Sequence, residues 1–140
     1  MKIADCDGLR EAGAVWDFTT GDARRFLDRA NLMLHAAKSF QVQGIVPRFV
    51  VLLHGAATKF SARDFAGTKF AGDESGNLAD IHATLREFTE LGGRIEVCEI
   101  AMQRSNVGRD KLVSFVEIEE NVFVNSIALQ NRGYAYLLID

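Results

Sequence analysis

The chain has 140 residues, the length of one domain, and enough to bury a core without disulfide or metal staples. Sixteen Lys and Arg against 19 Asp and Glu give a net charge of −3, which argues against a nucleic-acid binder built on a clustered basic surface. With 48% hydrophobic and 25% charged residues the composition excludes a disordered chain, and two cysteines exclude a disulfide framework.

The first twelve residues are interrupted by Lys2, Asp5, Asp7, Arg10 and Glu11. They lack the apolar run of about 7–15 residues that a secretory signal needs. Residues 1–13 read as a flexible arm on a single domain spanning 1–140. Ala14 to Phe18 is the first expected strand, followed by the turn and cap chemistry of Thr19-Thr20-Gly21-Asp22. Ala23, Phe26, Leu27, Ala30, Met33, Leu34 and Ala37 then recur at helical spacing, with Thr20 or Asp22 able to cap the start and Gly44 and Pro47 bounding the end.

Arg48 to Leu53 is a strand with a continuous apolar run, the mark of burial on both faces in a parallel sheet. It closes on His54-Gly55. Residues 58–76 are rich in Gly, Ser, Asp and Lys yet carry Phe60, Phe65 and Phe70; an irregular loop whose Phe side chains tuck into the core is expected. A second helix runs from Leu78 to Leu91, with Leu78, Ile81, Leu85 and Phe88 on one face, an Asn77/Asp80 capping pair, and Gly92-Gly93 as its stop. Arg94 to Cys98 is the third strand, Glu99 to Asn106 a short helix, and Phe115 to Ile118 a weak fourth strand. Asn121 can cap a helix through Arg132 with Phe123, Val124, Ile127 and Ala128 inward, and Tyr134 to Ile139 is the last strand. The alternation predicts α/β architecture on a mostly parallel sheet. The longest apolar runs, Phe49–Leu53 and Tyr134–Ile139, fall far short of the roughly 18 residues of a membrane span, so a cytoplasmic protein without membrane association is expected.

The sequence has no P-loop, no G-x-G-x-x-G and no G-x-S-x-G, and its three His and two Cys have no metal-ligand spacing. No metal or organic cofactor is implied. Cys98 stands out because it ends a parallel strand, and in open α/β sheets ligands bind outside the carboxyl ends of the strands. A helix opening at Glu99 would favour a thiolate there, with Arg104 and Arg109 adding positive charge and Glu96 and Glu99 opposing it. The plain alternative is a buried thiol acting as a small hydrophobe. His54 ends the neighbouring strand and can pair with the thiolate or move a proton, or can simply bond the backbone. Thr19, Thr20 and Gly21 can hold an anion at a helix start, or serve only as capping residues. His35 and His82 fall within helices as solvated or partly packed residues. Cys6, between Asp5 and Asp7, has no assigned role. Trp16, Tyr134 and Tyr136 read as core or interface packing, since no basic stripe accompanies them.

The order of these features resembles the DsrE/DsrF-like (YchN-like) family of small sulfur-relay proteins. The resemblance rests on Phe18-Thr19-Thr20-Gly21-Asp22, on His54-Gly55, on Gly92-Gly93-Arg94-Ile95-Glu96-Val97-Cys98-Glu99, and on Gln130-Asn131-Arg132-Gly133-Tyr134-Ala135-Tyr136. It implies a flavodoxin-like three-layer α/β/α subunit of about five strands, assembled as a homotrimer or homohexamer. It also implies that Cys98 carries sulfane sulfur as a persulfide, taken from a donor and passed to a partner thiol. The residues themselves add His54 as a neighbour and Arg104 as an electrostatic helper. Two departures stand out: Ile100-Ala101 occupy positions where relatives often carry Asn-Thr, and Ala56-Ala57-Thr58 follows His54-Gly55 without the Pro often found there. A non-catalytic oligomeric binding or assembly module, with Cys98 an ordinary buried thiol, is the competing expectation.

Overall fold

The computed structural model describes residues 4–140; residues 1–3 of the expected arm lie outside the described residues. Five strands form one sheet, β1 (Glu11–Phe18), β2 (Val46–Leu53), β3 (Arg94–Cys98), β4 (Glu117–Glu119) and β5 (Ala135–Ile139), in the order β4-β3-β2-β1-β5 and parallel at every pairing. Four helices connect them, α1 (Ala23–Val42), α2 (Leu78–Glu90), α3 (Glu99–Ser105) and α4 (Val122–Asn131). Short 3₁₀ helices cover Ala4–Cys6, Gly55–Ser61 and Arg109–Lys111.

The handedness of parallel crossovers decides which face each helix takes. The chain steps β1, β2, β3, β4 across the sheet in one direction, and α1 and α2 pack together on one face. The step from β4 back to β5, beside β1, runs the other way and puts α4 on the opposite face, against β1 and β3. The result is the expected three-layer α/β/α arrangement of a flavodoxin-like subunit. Among the described residues no helix is long and apolar enough to cross a membrane.

The two faces are filled unequally. Under α1 and α2, alternate strand residues Trp16, Phe18, Phe49, Val51, Leu53, Ile95 and Val97 meet Phe26, Met33, Ile81, Leu85 and Phe88 in one large core. Phe18, Phe26 and Phe60 stack in series, with ring centroids 4.6 and 4.3 Å apart. Phe60, Phe65 and Phe70 are all buried, so the irregular stretch does send its aromatic rings into the core. On the other face only Val15, Val50, Leu52, Cys98, Ala101 and Val122 form a buried cluster.

Several elements differ from the sequence expectation. Strand β1 takes in Glu11, Ala12 and Gly13, because Glu11 to Gly13 pair with Val46 to Arg48. Pro47, expected as a helix boundary, lies inside β2 before β3 begins to pair at Val50, so only one of its sides faces a neighbouring strand. Asn77 does not cap α2; its amide donates to the Ala23 carbonyl at the start of α1. On α4 the inward residues are Val122 and Ser126, whereas Phe123, Val124, Ile127 and Ala128 are exposed. The apolar stripe that the sequence assigned to the core therefore faces outward.

Candidate functional site

The carboxyl ends of all five strands lie along one sheet edge, and the register there sets the site. Leu53 pairs with Val97, so the next residues, His54 and Cys98, emerge side by side from adjacent strands. Strand alternation sends both to the α4 face, along with Asp17 two residues beyond Val15 and Tyr136, which pairs with Val15 across β1 and β5. Gly55 turns the chain immediately after β2 with φ +56°, a left-handed conformation that suits glycine, and this keeps His54 at the edge.

A cavity of about 460 Å³ opens at this edge. Cys98 and His54 line it together with Lys69, Arg104, Asn121 and Phe123. Such a volume suits a small ligand or one extended side chain. Cys98 is 6% exposed and ends β3 as the residue before α3, with its Sγ 4.0 Å from the Glu120 carbonyl oxygen. Arg104, on the last turn of α3, and Lys69 are exposed at the rim, and neither forms an ion pair among the described residues. Arg109 is engaged elsewhere, in an ion pair with Glu99. The structure thus brings Cys98, His54 and Arg104 together, and adds Lys69, which the sequence reading left in an unassigned loop.

His54 does not bond the backbone with its ring. Its Nε2 lies 2.5 Å from Asp17 Oδ1, and the Tyr136 hydroxyl donates to Asp17 Oδ2. Asp17 is buried, which penalises its charge, yet the hydrogen bonds from His54 and Tyr136 and the charge of His54 hold its carboxyl below the usual range. Burial and the Asp17 carboxylate push the Tyr136 phenol up to about 12, so it stays a donor. The Phe123 ring stands edge-on to His54, with centroids 5.4 Å apart. Asp17 and Tyr136 escaped the sequence reading because each sits in a strand whose neighbours are apolar; the one available signal was a lone carboxylate in the run Ala14 to Phe18.

Thr19, Thr20 and Gly21 do not line that cavity and are tied into the fold. Thr19 donates to Asp140, Thr20 Oγ1 accepts from the Asp22 amide, and the Gly21 carbonyl accepts from Lys59 Nζ at 3.0 Å. A Cβ on Gly21 would come within 2.7 Å of the Ala56 side chain, which explains the glycine. The Asp22 carboxylate caps α1 by accepting from the Arg25 amide, so an external anion would compete with it. Gly21, Asp22 and Lys59 border a second, separate cavity of about 750 Å³. Lys59 is buried there, paired with Asp73 at 2.6 Å and 5.2–5.9 Å from the rings of Phe60, Phe65 and Phe70. His82 is partly buried with its Nε2 3.0 Å from the Phe60 carbonyl oxygen, and His35 is exposed, as expected for packed and solvated helix positions.

Comparison with known proteins agrees with the fold. Residues 18–138 match the DsrE/DsrF-like family. An uncharacterized protein of Aquifex aeolicus is 30% identical over 125 residues, which are 89% of this chain; the chain spans about half (54%) of the length of that relative. Among solved structures, MTH1491 from Methanobacterium thermoautotrophicum, described as a protein of unknown function, superposes with a TM-score of 0.68 at 18% identity, over 91% of this chain and 98% of that one. The ychN protein of E. coli gives 0.62 at 13% identity, over 90% and 98%. These likenesses speak for the fold alone. The match over residues 18–138 places this chain in the DsrE/DsrF-like family.

Proposed function

We propose that this protein is a sulfur-relay carrier that accepts sulfane sulfur on Cys98 and passes it to a partner thiol. Family membership points to sulfur relay in general. The observation that carries the finer reading is that Cys98 and His54 follow adjacent, paired strand ends and line one cavity, together with the two cations Lys69 and Arg104. The chemistry needs no cofactor. The Cys98 thiolate attacks the outer sulfur of a donor persulfide; a new S–S bond forms, the donor S–S bond breaks, and the donor departs as a thiolate with the electron pair. An acceptor thiolate then attacks the outer sulfur on Cys98 and releases the Cys98 thiolate by the same exchange. Lys69 and Arg104 favour the anionic species at each stage. Self-association into a trimer or hexamer belongs to the same reading, supported by the exposed Phe123, Val124 and Ile127 beside the cavity.

The competing reading, an assembly module with an inert thiol, draws on the burial of Cys98 and on that same apolar face. Alkylation of the native protein separates the two. With iodoacetamide at neutral pH, followed by peptide mapping, a carrier gives labelling of Cys98 in the folded state. Labelling of Cys98 only after denaturation, with Cys6 modified throughout, supports the assembly module instead.

A further inference from the structure

Three side chains from three strands form a relay that ends in the Cys98 cavity: Tyr136 on β5, Asp17 on β1 and His54 after β2. Asp17 holds its proton weakly, so it is a carboxylate near neutral pH and can only accept hydrogen bonds. The 2.5 Å contact therefore requires His54 Nε2 to carry a proton. Nδ1 is then the only basic atom of a neutral ring, and it has no protein partner among the described residues. Its side chain lines the same cavity as the thiol.

We infer that Asp17, braced by the Tyr136 hydroxyl, is a positioning residue that fixes the ring and tautomer of His54 so that Nδ1 takes the proton of Cys98. The inference rests on the reading of Cys98 as the sulfur-accepting thiol, and it names the group that makes the thiolate. In the step, the S–H bond of Cys98 breaks, the proton moves to Nδ1, and the electron pair stays on sulfur. The imidazolium that results faces a buried carboxylate already in place. This is the logic of a carboxylate–histidine–nucleophile set, assembled here across β1, β2 and β3.

The charged and titratable groups around His54 are few. Asp17 comes from β1 with Tyr136 of β5 behind it, Cys98 from β3, Lys69 from the loop before α2, and Arg104 from α3; the start of α4 brings Asn121, Val122 and Phe123 to the cavity, none of them charged. Both cations oppose an imidazolium, so the Asp17 carboxylate is the group that offsets them.

The test is the pH profile of Cys98 alkylation in the intact protein, measured together with the NMR titration of the His54 ring. Asp17→Asn is expected to move the alkylation inflection up by about one pH unit, slowing labelling about tenfold below it, and to move the His54 titration down. Tyr136→Phe, at a half-exposed position, is expected to move both in the same directions by less, and it serves if Asp17→Asn folds poorly. His54→Gln is expected to abolish the Asp17 effect, so that the double variant labels no more slowly than His54→Gln alone. Unchanged profiles in both Asp17→Asn and Tyr136→Phe overturn the inference, as does additivity in the double variant. Sulfur loading is scored separately: shifted profiles with no loading of sulfur on Cys98 sink the carrier reading and leave the positioning role intact.

Discussion

Glu96 and Asp17 are both buried carboxylates on the α4 face, and the fold treats them oppositely. Burial pushes the Glu96 carboxyl up, neighbouring Glu119 and Glu117 push it further, and Arg94 with the Asn125 amide only partly offsets this. Oxygens of the three glutamates lie within 4.8 Å of one another. A raised carboxyl binds its proton more tightly in the folded state, so its contribution to stability falls as pH rises from the ordinary Glu range, about 4.3, through the folded value. Glu96→Gln is therefore expected to raise Tm at pH 7 by about 2–4 °C and to make no difference near pH 3; an unchanged or lowered Tm at pH 7 contradicts this. Asp17 has the opposite sign, because its stabilisation is present above the ordinary Asp range and is lost as pH falls through its lower folded value. Cys98 and His54 were legible from sequence because each stands at the end of an expected strand, His54 after the apolar run Phe49 to Leu53 and Cys98 before a helix, which fixes both places at the carboxyl edge. Asp17, Tyr136 and Lys59 were not, because their partners are 14 to 119 residues away and only the sheet register and loop packing bring them together.

At the scale of elements, local chemistry foretold the helices and their caps better than the faces they bury. Asp22 and Asn121 cap α1 and α4 through the expected side-chain bonds, α2 buries the residues its periodicity names, and α1 buries all of its named residues but Ala23 and Leu27, which are partly buried. Helix α4 has apolar residues on most of its surface, so periodicity could not tell which side meets the sheet. Handedness of the β4–β5 crossover sets that, and Ser126 lies inward while Phe123 and Ile127 lie outward. Asn77 shows the same limit: its sequence position is right for a cap, but tertiary contact with Ala23 claims the side chain. The edge strand β5 was legible as a strand, while its exposure depends on strand order, which no local pattern carries.

In the whole molecule the two layers cover the sheet unequally, and edge strand β5 is open on both faces. α1 and α2 cover β1, β2 and β3 on their side but leave Leu137 of β5 exposed, whereas α4, at ten residues, leaves Tyr136 and Leu138 exposed and presents Phe123, Val124 and Ile127 outward. An apolar surface of this kind on a small domain marks an interaction face. Light scattering is expected to give a trimer or hexamer of the 15.5 kDa chain, and the Val124→Glu/Ile127→Glu pair is expected to shift it to monomer; a monomeric wild type contradicts self-association. Phe123 belongs both to that face and to the wall of the Cys98 cavity. The most direct measurement of the central claim is intact-protein mass spectrometry after incubation with a small-molecule persulfide donor, comparing wild type with Cys98→Ser. The account predicts a gain of about 32 Da per sulfur atom on wild type, removed by reductant and absent from Cys98→Ser. No gain on native wild type, or an equal gain on Cys98→Ser, would contradict it.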